Sequence, residues 1–289
     1  VYHRANTAAP QTDYLILNTN AATADDAAWW NDTAPTTSVF TVGTDHAVNA
    51  SGENYVAYVF AHETGDDSMI QCGSYTGNAN NTGPDIDLGW EPQWVLIKRS
   101  SAAGTEWIIA DSMRGMPVSA SASVLFANIN NAESTGVGQI HPTATGFSIR
   151  QTTGSDLNTD GATYIYMAIR RPNMATITDA TEVFAIDLEN DAAPYHTAGF
   201  PVDFEFYRPT GATYSYYSGS RLMGPFELEL NDDAAAGGAS ALVFDYMTGF
   251  KSSADGNSNV LAWMWKRAKG FFDVVAYTGN ATNPQDVNH

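Results

Sequence analysis

The sequence predicts an all-β chain of tandem β-sandwich modules, each about 100 residues long. The first reason is a polar turn followed by an unbroken apolar run, Asn49-Ala-Ser-Gly-Glu-Asn-Tyr55-Val-Ala-Tyr-Val-Phe60. It returns as Asn158-Thr-Asp-Gly-Ala-Thr-Tyr164-Ile-Tyr-Met-Ala-Ile169 and, more loosely, as Asn257-Ser-Asn-Val260-Leu-Ala-Trp-Met-Trp265. An aromatic and β-branched run of this length behind a Gly/Asn/Asp turn reads as a core strand buried on both faces. The second reason is a period. Asn18, Asn128 and Asn231 close similar segments and lie 110 and 103 residues apart, and Phe40, Phe147 and Phe250 lie 107 and 103 apart. Such a repeat is far longer than a solenoid unit and matches a small domain. The third is the density of short β-rich runs separated by Gly, Asn and Pro turns.

Taken in order, residues 1–65 read as the C-terminal part of module one. Asp25-Asp-Ala-Ala-Trp29-Trp30 is its one helical turn, with Asp where the helix dipole favours it, and Ser38-Val-Phe-Thr-Val42 is a strand by β-branched content. Residues 66–173 form the complete module two, with strands expected at 69–75, 94–98, 107–110, 123–127, 147–150 and 164–169. Residues 174–269 form a divergent module three. In it Glu182-Val-Phe-Ala-Ile-Asp-Leu188 alternates as a half-exposed strand, and Val202-Asp-Phe-Glu-Phe206 and Phe226-Glu-Leu-Glu-Leu230 alternate likewise, the latter with every second residue in a core. Residues 270–289 start a fourth module, because Gly270-Phe-Phe-Asp-Val-Val-Ala-Tyr277-Thr-Gly-Asn280 repeats Gly73-Ser-Tyr75-Thr-Gly-Asn78. A chain that opens and closes inside modules reads as a piece of a longer polypeptide. Arg170-Arg171-Pro172-Asn173 and Lys266-Arg267-Ala268-Lys269 are the linkers. In so acidic a chain their charge either pairs with a neighbouring module or is simply solvated.

Composition narrows the function. The 32 acidic against 13 basic residues give a formal charge of −19, which repels phosphate backbones and anionic bilayers, so neither nucleic acid nor membrane is expected as a partner. Hydrophobic content of 44% suits packed domains rather than disorder. Cys72 is the only cysteine, which excludes an internal disulfide and a thiolate zinc site.

Candidate chemistry is sparse. Asp156-Leu-Asn158-Thr-Asp160-Gly161 matches the first half of a calcium loop, but the twelfth position is Met167, so the competing reading is a hairpin turn and no cofactor beyond a possible calcium ion is expected. No Gly-x-Ser-x-Gly elbow or metal-spaced histidine set occurs. Carboxylates such as Asp85, Asp87, Asp232 and Asp233 leave a glycosidase reading open without singling out a pair. Aromatics in polar loops are the better lead: Trp29, Trp30, Trp90, Tyr214, Tyr216 and Tyr217 suit stacking on a sugar or anchoring a partner, against the alternative that they cap sandwich ends as core. Asn31, Asn49, Asn80 and Asn280 head glycosylation sequons.

The segments 263–280, 74–99 and 48–61 resemble the tandem repeats of a domain found in large virion proteins of marine tailed phages, described as tail-fibre-like or structural. The likeness covers residues 13–171 and 226–280 and weakens over 174–225. It implies a virion component of β-sandwich modules, located in an extracellular particle with other virion proteins or copies of itself as partners, and leaves open whether that component binds a host or holds the particle together; the leading expectation is a non-enzymatic, tail-fibre-like appendage that presents loops to a host cell-surface glycan. The alternatives are a polysaccharide-degrading tail appendage and a capsid-surface or stacking module. The resemblance carries no catalytic motif.

Overall fold

The computed structural model describes all residues except 66–67, 119, 152–155, 172–176, 212, 234, 239–241, 253–258, 278, 280, 282–283, 285 and 288–289. The all-β expectation is borne out: apart from short helical turns, regular structure is antiparallel strand.

Residues 1–65 hold a two-stranded ribbon, β1 (Asp13–Tyr14) with β2 (Ala24–Asp25), and two single helical turns, α1 (Ala27–Trp30) and α2 (His46–Asn49). Asp26 caps α1 by accepting from Ala28 N at 2.9 Å, and Asp45 caps α2 by accepting from Ala47 N at 2.7 Å.

Two six-stranded sheets follow. The first takes β3 (Ile70–Thr76), β5 (Pro92–Arg99), β6 (Ile108–Asp111), β7 (Ala122–Phe126), β8 (Ser134–Gly138) and β11 (Thr163–Arg170), in the order β3-β11-β5-β6-β7-β8. A small sheet of β4 (Asp85–Asp87), β9 (Ile140–Thr143) and β10 (Gly146–Ile149) lies against it. The second large sheet takes β12 (Phe184–Leu188), β14 (Phe204–Pro209), β15 (Tyr217–Ser220), β16 (Phe226–Glu229), β17 (Gly237–Gly238) and β19 (Val260–Trp265), ordered β12-β19-β14-β15-β16-β17. Its small partner pairs β13 (His196–Thr197) with β18 (Gly249–Phe250). The strand order is the same in both, with the last long strand inserted between the first two.

Each large sheet buries one face against its small sheet, a β-sandwich-like arrangement. In the first, Val95, Ile97, Val124, Tyr164, Tyr166 and Ala168 meet Ile86, Ile140, Phe147 and Ile149. In the second, Tyr207, Val260, Ala262 and Met264 meet Phe250, with Phe200 and Val202. Corresponding glycines allow the small sheets to close. A Cβ on Gly146 would stand 1.9 Å from Ile86 O, and one on Gly249 1.9 Å from His196 O.

Three sequence expectations are corrected. Residues 55–60 form no strand: Val56 is 80% and Tyr58 84% exposed. β11 and β19 are buried because strands clasp them on both sides, whereas the described residues before 55 hold only β1 and β2, which pair with each other. Residues 38–42 likewise form no strand, and Val39 and Phe40 are exposed. In β16 the alternation is inverted. The register sets Glu227 opposite Gly219 and Leu228 opposite Ser218, and Tyr207 Oη donates to Glu227 Oε2 at 2.7 Å, so Leu228 and Leu230 face outward. The linker at 172–173 and the turn at 253–258 lie outside the described residues.

Candidate functional site

The outer face of the second large sheet is the surface on which side chains converge. Alternation along β14 sends Phe204, Phe206 and Arg208 outward and Glu205, Tyr207 and Pro209 inward; along β19 it sends Leu261, Trp263 and Trp265 outward. The register stacks these sets: Phe204 opposite Trp265, Phe206 opposite Trp263, and on the far side Phe184 opposite Trp265. Ring centroids lie 5.0 Å apart for Phe184 and Trp265, 4.9 Å for Phe206 and Trp265, and 5.0 Å for Phe206 and Trp263, all tilted rather than flat. Tyr216 extends the row at 6.4 Å from Trp263. The Arg208 guanidinium sits 4.8 Å from the Tyr216 ring centre, and its Nη1 donates to Tyr216 Oη at 3.1 Å. The rings are half-buried, while Ile186 at 55% and Leu188 at 48% widen the apolar face toward the sheet edge.

The same face of the first large sheet is covered. There Leu96, Ile165 and Trp107 pack on Leu15, and Trp107 Nε1 donates to Thr19 O at 3.1 Å. Thr23 N donates to Ser100 O at 2.9 Å. Lys98 is sealed under this cover and donates to Thr105 O at 2.7 Å; burial lowers its pKa to about 8. Among the described residues the aromatic row of the second sheet has no comparable cover beyond Phe272, whose ring lies 5.5 Å from Phe204 at one end.

The residues singled out by sequence scatter. Tyr216 joins the aromatic row, and Tyr214, 49% exposed, is in the same turn. Tyr217 points the other way and stacks on buried Tyr207, with centroids 5.5 Å apart. Trp29 stacks on Tyr14 at 4.2 Å, and Trp30 Nε1 donates to Asp13 O at 3.1 Å, so both help to fasten residues 1–30. Trp90 is a correction. It is 3% exposed, belongs to the first core and donates through Nε1 to Ser68 Oγ at 2.7 Å, because its partners come from a segment 22 residues away. The row itself escaped the sequence reading because 260–265 looked buried on both faces. The legible signal was Glu205 between Phe204 and Phe206, which marks two faces of different character.

The calcium-loop residues do not converge on a cation. Asn158 is wholly buried; its Oδ1 accepts from Asn78 N at 2.8 Å, and its Nδ2 contacts Asn80 O at 2.9 Å, Gly83 O at 3.1 Å and Gln151 O at 2.6 Å. It ties the loops together. Asp160 is exposed, Asp156 is half-buried, and no group of three or more His, Cys, Asp or Glu side chains among the described residues is arranged to hold a metal.

The acids are equally dispersed. Asp85 pairs with Arg150 at 3.0 Å and accepts from Ser148, Asp87 accepts from Gly89 N at 3.0 Å, and Asp232 and Asp233 sit in an exposed turn. An open hollow of about 540 Å³ is lined by Asn6, Thr7, Thr23, Ser74, Ser100 and Thr163 among others, without a carboxylate. Glu205 and Glu227 flank Gly219 across β15, but Glu205 is wholly buried. Burial, and then the charge of Glu227, push its pKa well above the usual carboxylate range. No helix among the described residues is long and apolar enough to cross a membrane.

A family described as "Domain of unknown function (DUF7483)" matches residues 1–172. No curated protein and no solved structure matches the chain.

Proposed function

The chain belongs to the DUF7483 family, and from its geometry we propose that it is a non-enzymatic, tail-fibre-like virion protein that attaches to host-surface glycan through the aromatic face of its second large sheet. The observation that carries this reading is the row Phe184, Trp265, Phe206, Trp263 and Tyr216, laid along one sheet and left half-exposed. Rings of this kind stack on the C–H faces of sugars, while Arg208 beside Tyr216 provides donors for hydroxyl or acidic groups. The strongly acidic remainder discourages unspecific adsorption to anionic surfaces. Repetition of like units suits attachment by avidity, in which weak sites suffice because they act together.

The test is binding of the purified chain to an array of bacterial surface glycans. Trp263→Ala and Phe206→Ala should each weaken binding at least about tenfold, with folding checked by circular dichroism, while Trp29→Ala leaves it unchanged. Binding that survives loss of both Trp263 and Phe206 sinks the site. Release of reducing ends from host polysaccharide would replace it with a degrading appendage. A particle map with this face buried against a neighbouring subunit would replace it with a stacking module.

A further inference from the structure

Glu205 is a wholly buried carboxyl group, and neither of its oxygens has a hydrogen-bond partner among the described residues. A buried carboxylate ordinarily has donors or a counter-ion, because an unpaired charge in a core is costly. Glu205 has a second acid instead. It lies on β14 opposite Gly219 of β15, and Glu227 of β16 lies opposite the same glycine from the other side, so the residue between the two acids contributes no side chain. Glu227 is steadied by Tyr207 Oη, which donates to its Oε2 at 2.7 Å.

Among the described residues no cation offsets the pair. β19 sets Met264 opposite Glu205. Arg221, just past the end of β15, is engaged by Asp203, Val202 O and Phe244 O. Lys251 turns its ammonium to the Tyr195 ring, 5.3 Å away, and His196 of the small sheet is stacked on Phe250. Burial first, and the Glu227 charge second, hold the Glu205 proton well above the usual carboxylate range.

The cover over this acid is lightly fastened. A Cβ on Gly219 would stand 3.0 Å from Glu205 Oε1 and 2.7 Å from Leu242 Cδ2, so the carboxyl group and Leu242 share the space above that glycine. Leu242 and Phe244 are buried in the second core, yet residues 242–244 belong to none of the strands β12–β19. Their backbone is held by one bridge, between Val243 and Lys251 at 3.0 and 2.9 Å, and by Arg221 donating to Phe244 O.

We infer that Glu205 is a base-sensitive latch on the second core: as the neutral acid it lies under Leu242, and loss of its proton to solvent drives the carboxylate out and lifts residues 242–244 from the sheet. The closed form keeps the proton, whereas the opened form, with Glu205 in water, releases it above the ordinary value of 4.5. Closure is therefore fully favoured below pH 4.5 and weakens as pH rises, the opened fraction growing about tenfold per pH unit until the closed form itself ionises. This inference stands apart from the glycan reading, since residues 242–244 pack on the inner face of the sheet, behind the aromatic row.

Hydrogen exchange of the full chain, read by mass spectrometry on a peptide spanning residues 242–252, tests it between pH 6.5, above the range in which His196 titrates, and pH 8, where Lys98 begins to lose its proton. Each rate is divided by that of Glu205→Gln at the same pH, which removes the intrinsic pH dependence of exchange. The ratio should rise about tenfold per pH unit over 242–252 and stay flat over β11, and residues 242–252 should exchange faster than β19. Glu205→Leu, neutral and apolar, supplies the same reference if the amide variant does not fold. A flat ratio over 242–252 overturns the inference. So do equal exchange rates over 242–252 and β19, which mean that the core opens as a whole, and a ratio that rises over β11 as well.

Discussion

Arg267 and Glu91, 176 residues apart in sequence, meet in a buried two-pronged ion pair: Nη1 and Nη2 each donate to a separate carboxylate oxygen at 2.9 Å. Both side chains are less than a tenth exposed. Burial opposes the charge on Arg267, but hydrogen bonds from its guanidinium to Glu91 and Asp273 outweigh it and hold the pKa above the ordinary arginine value. Arg267 also donates through Nε to Asp273 at 2.6 Å and through its backbone N to Asp203 Oδ2 at 2.8 Å, while Arg171 N donates to Glu91 O at 3.2 Å. The end of β19 is thereby pinned to the start of β5, which fixes one large sheet against the other.

Breaking this pair from one side should be costly. Arg267→Met leaves the buried Glu91 carboxylate without its counterpart and should lower stability by about 3–5 kcal/mol, whereas Glu91→Leu leaves Arg267 its ion pair with Asp273 and should cost less. The double variant should be less destabilised than the sum of the two, which urea denaturation of all four chains would read as a coupling energy.

Asn158 gives a sharp contrast between a loop clamp and a cation site. Asn158→Asp replaces an amide donor, set among the oxygens of Asn80, Gly83 and Gln151, with a carboxylate. The thermal midpoint should fall, corresponding to at least about 1–3 kcal/mol per buried oxygen left without a donor. Added calcium should not restore it; recovery by calcium would return the loop to the metal reading.

His196 makes the second large sheet and its small partner sensitive to acid. It is wholly buried, stacked 4.9 Å from Phe250, and neither ring nitrogen has a hydrogen-bond partner among the described residues. Burial lowers its pKa from 6.5 to about 4, against weaker opposing contributions from Asp187. Between pH 6.5 and about 4 the unfolded chain carries the proton and the native chain does not. The stability from the neutral ring is therefore intact above pH 6.5 and is lost as pH falls toward 4, by about 1.4 kcal/mol per pH unit. Ile86 holds the equivalent place in the small sheet against the first large sheet, opposite Phe147 as His196 is opposite Phe250. Accordingly His196→Ile should abolish this part of the pH dependence, as measured by denaturation at successive pH values.

The two close sheet contacts should fail alike. Gly146→Ala and Gly249→Ala each force a methyl group into a carbonyl oxygen 1.9 Å away, so a small sheet must shift off its partner strand. A loss of about 2–3 kcal/mol in each, read by chemical denaturation, is the expected cost of such overpacking.

The all-β class, the turn positions and most strands of residues 66–171 were legible in the sequence because they depend on local chemistry. Alternation, β-branched content and turn residues act within a few positions, and the expected strands at 69–75, 94–98 and 164–169 match β3, β5 and β11 to within about two residues. The likeness of β11 and β19 was legible for the same reason, since each is a run of aromatic and aliphatic residues. What happens to such a strand was decided elsewhere. Tyr55 and Tyr164 each head an apolar run of aromatic and aliphatic residues, yet one is coil and the other a central strand, because a β-ladder needs neighbours and composition cannot supply them. Faces were tertiary too: alternation shows that Phe204 and Glu205 lie on opposite sides, but only the packing of β13 and β18 determines that Glu205 goes inward and the phenylalanines out. Trp90 was misread as a loop ring for want of Ser68, and Arg267 was compatible with a solvated linker until Glu91 was brought to it. Composition settles which residues can pair or be buried; which of them meet depends on how distant segments pack.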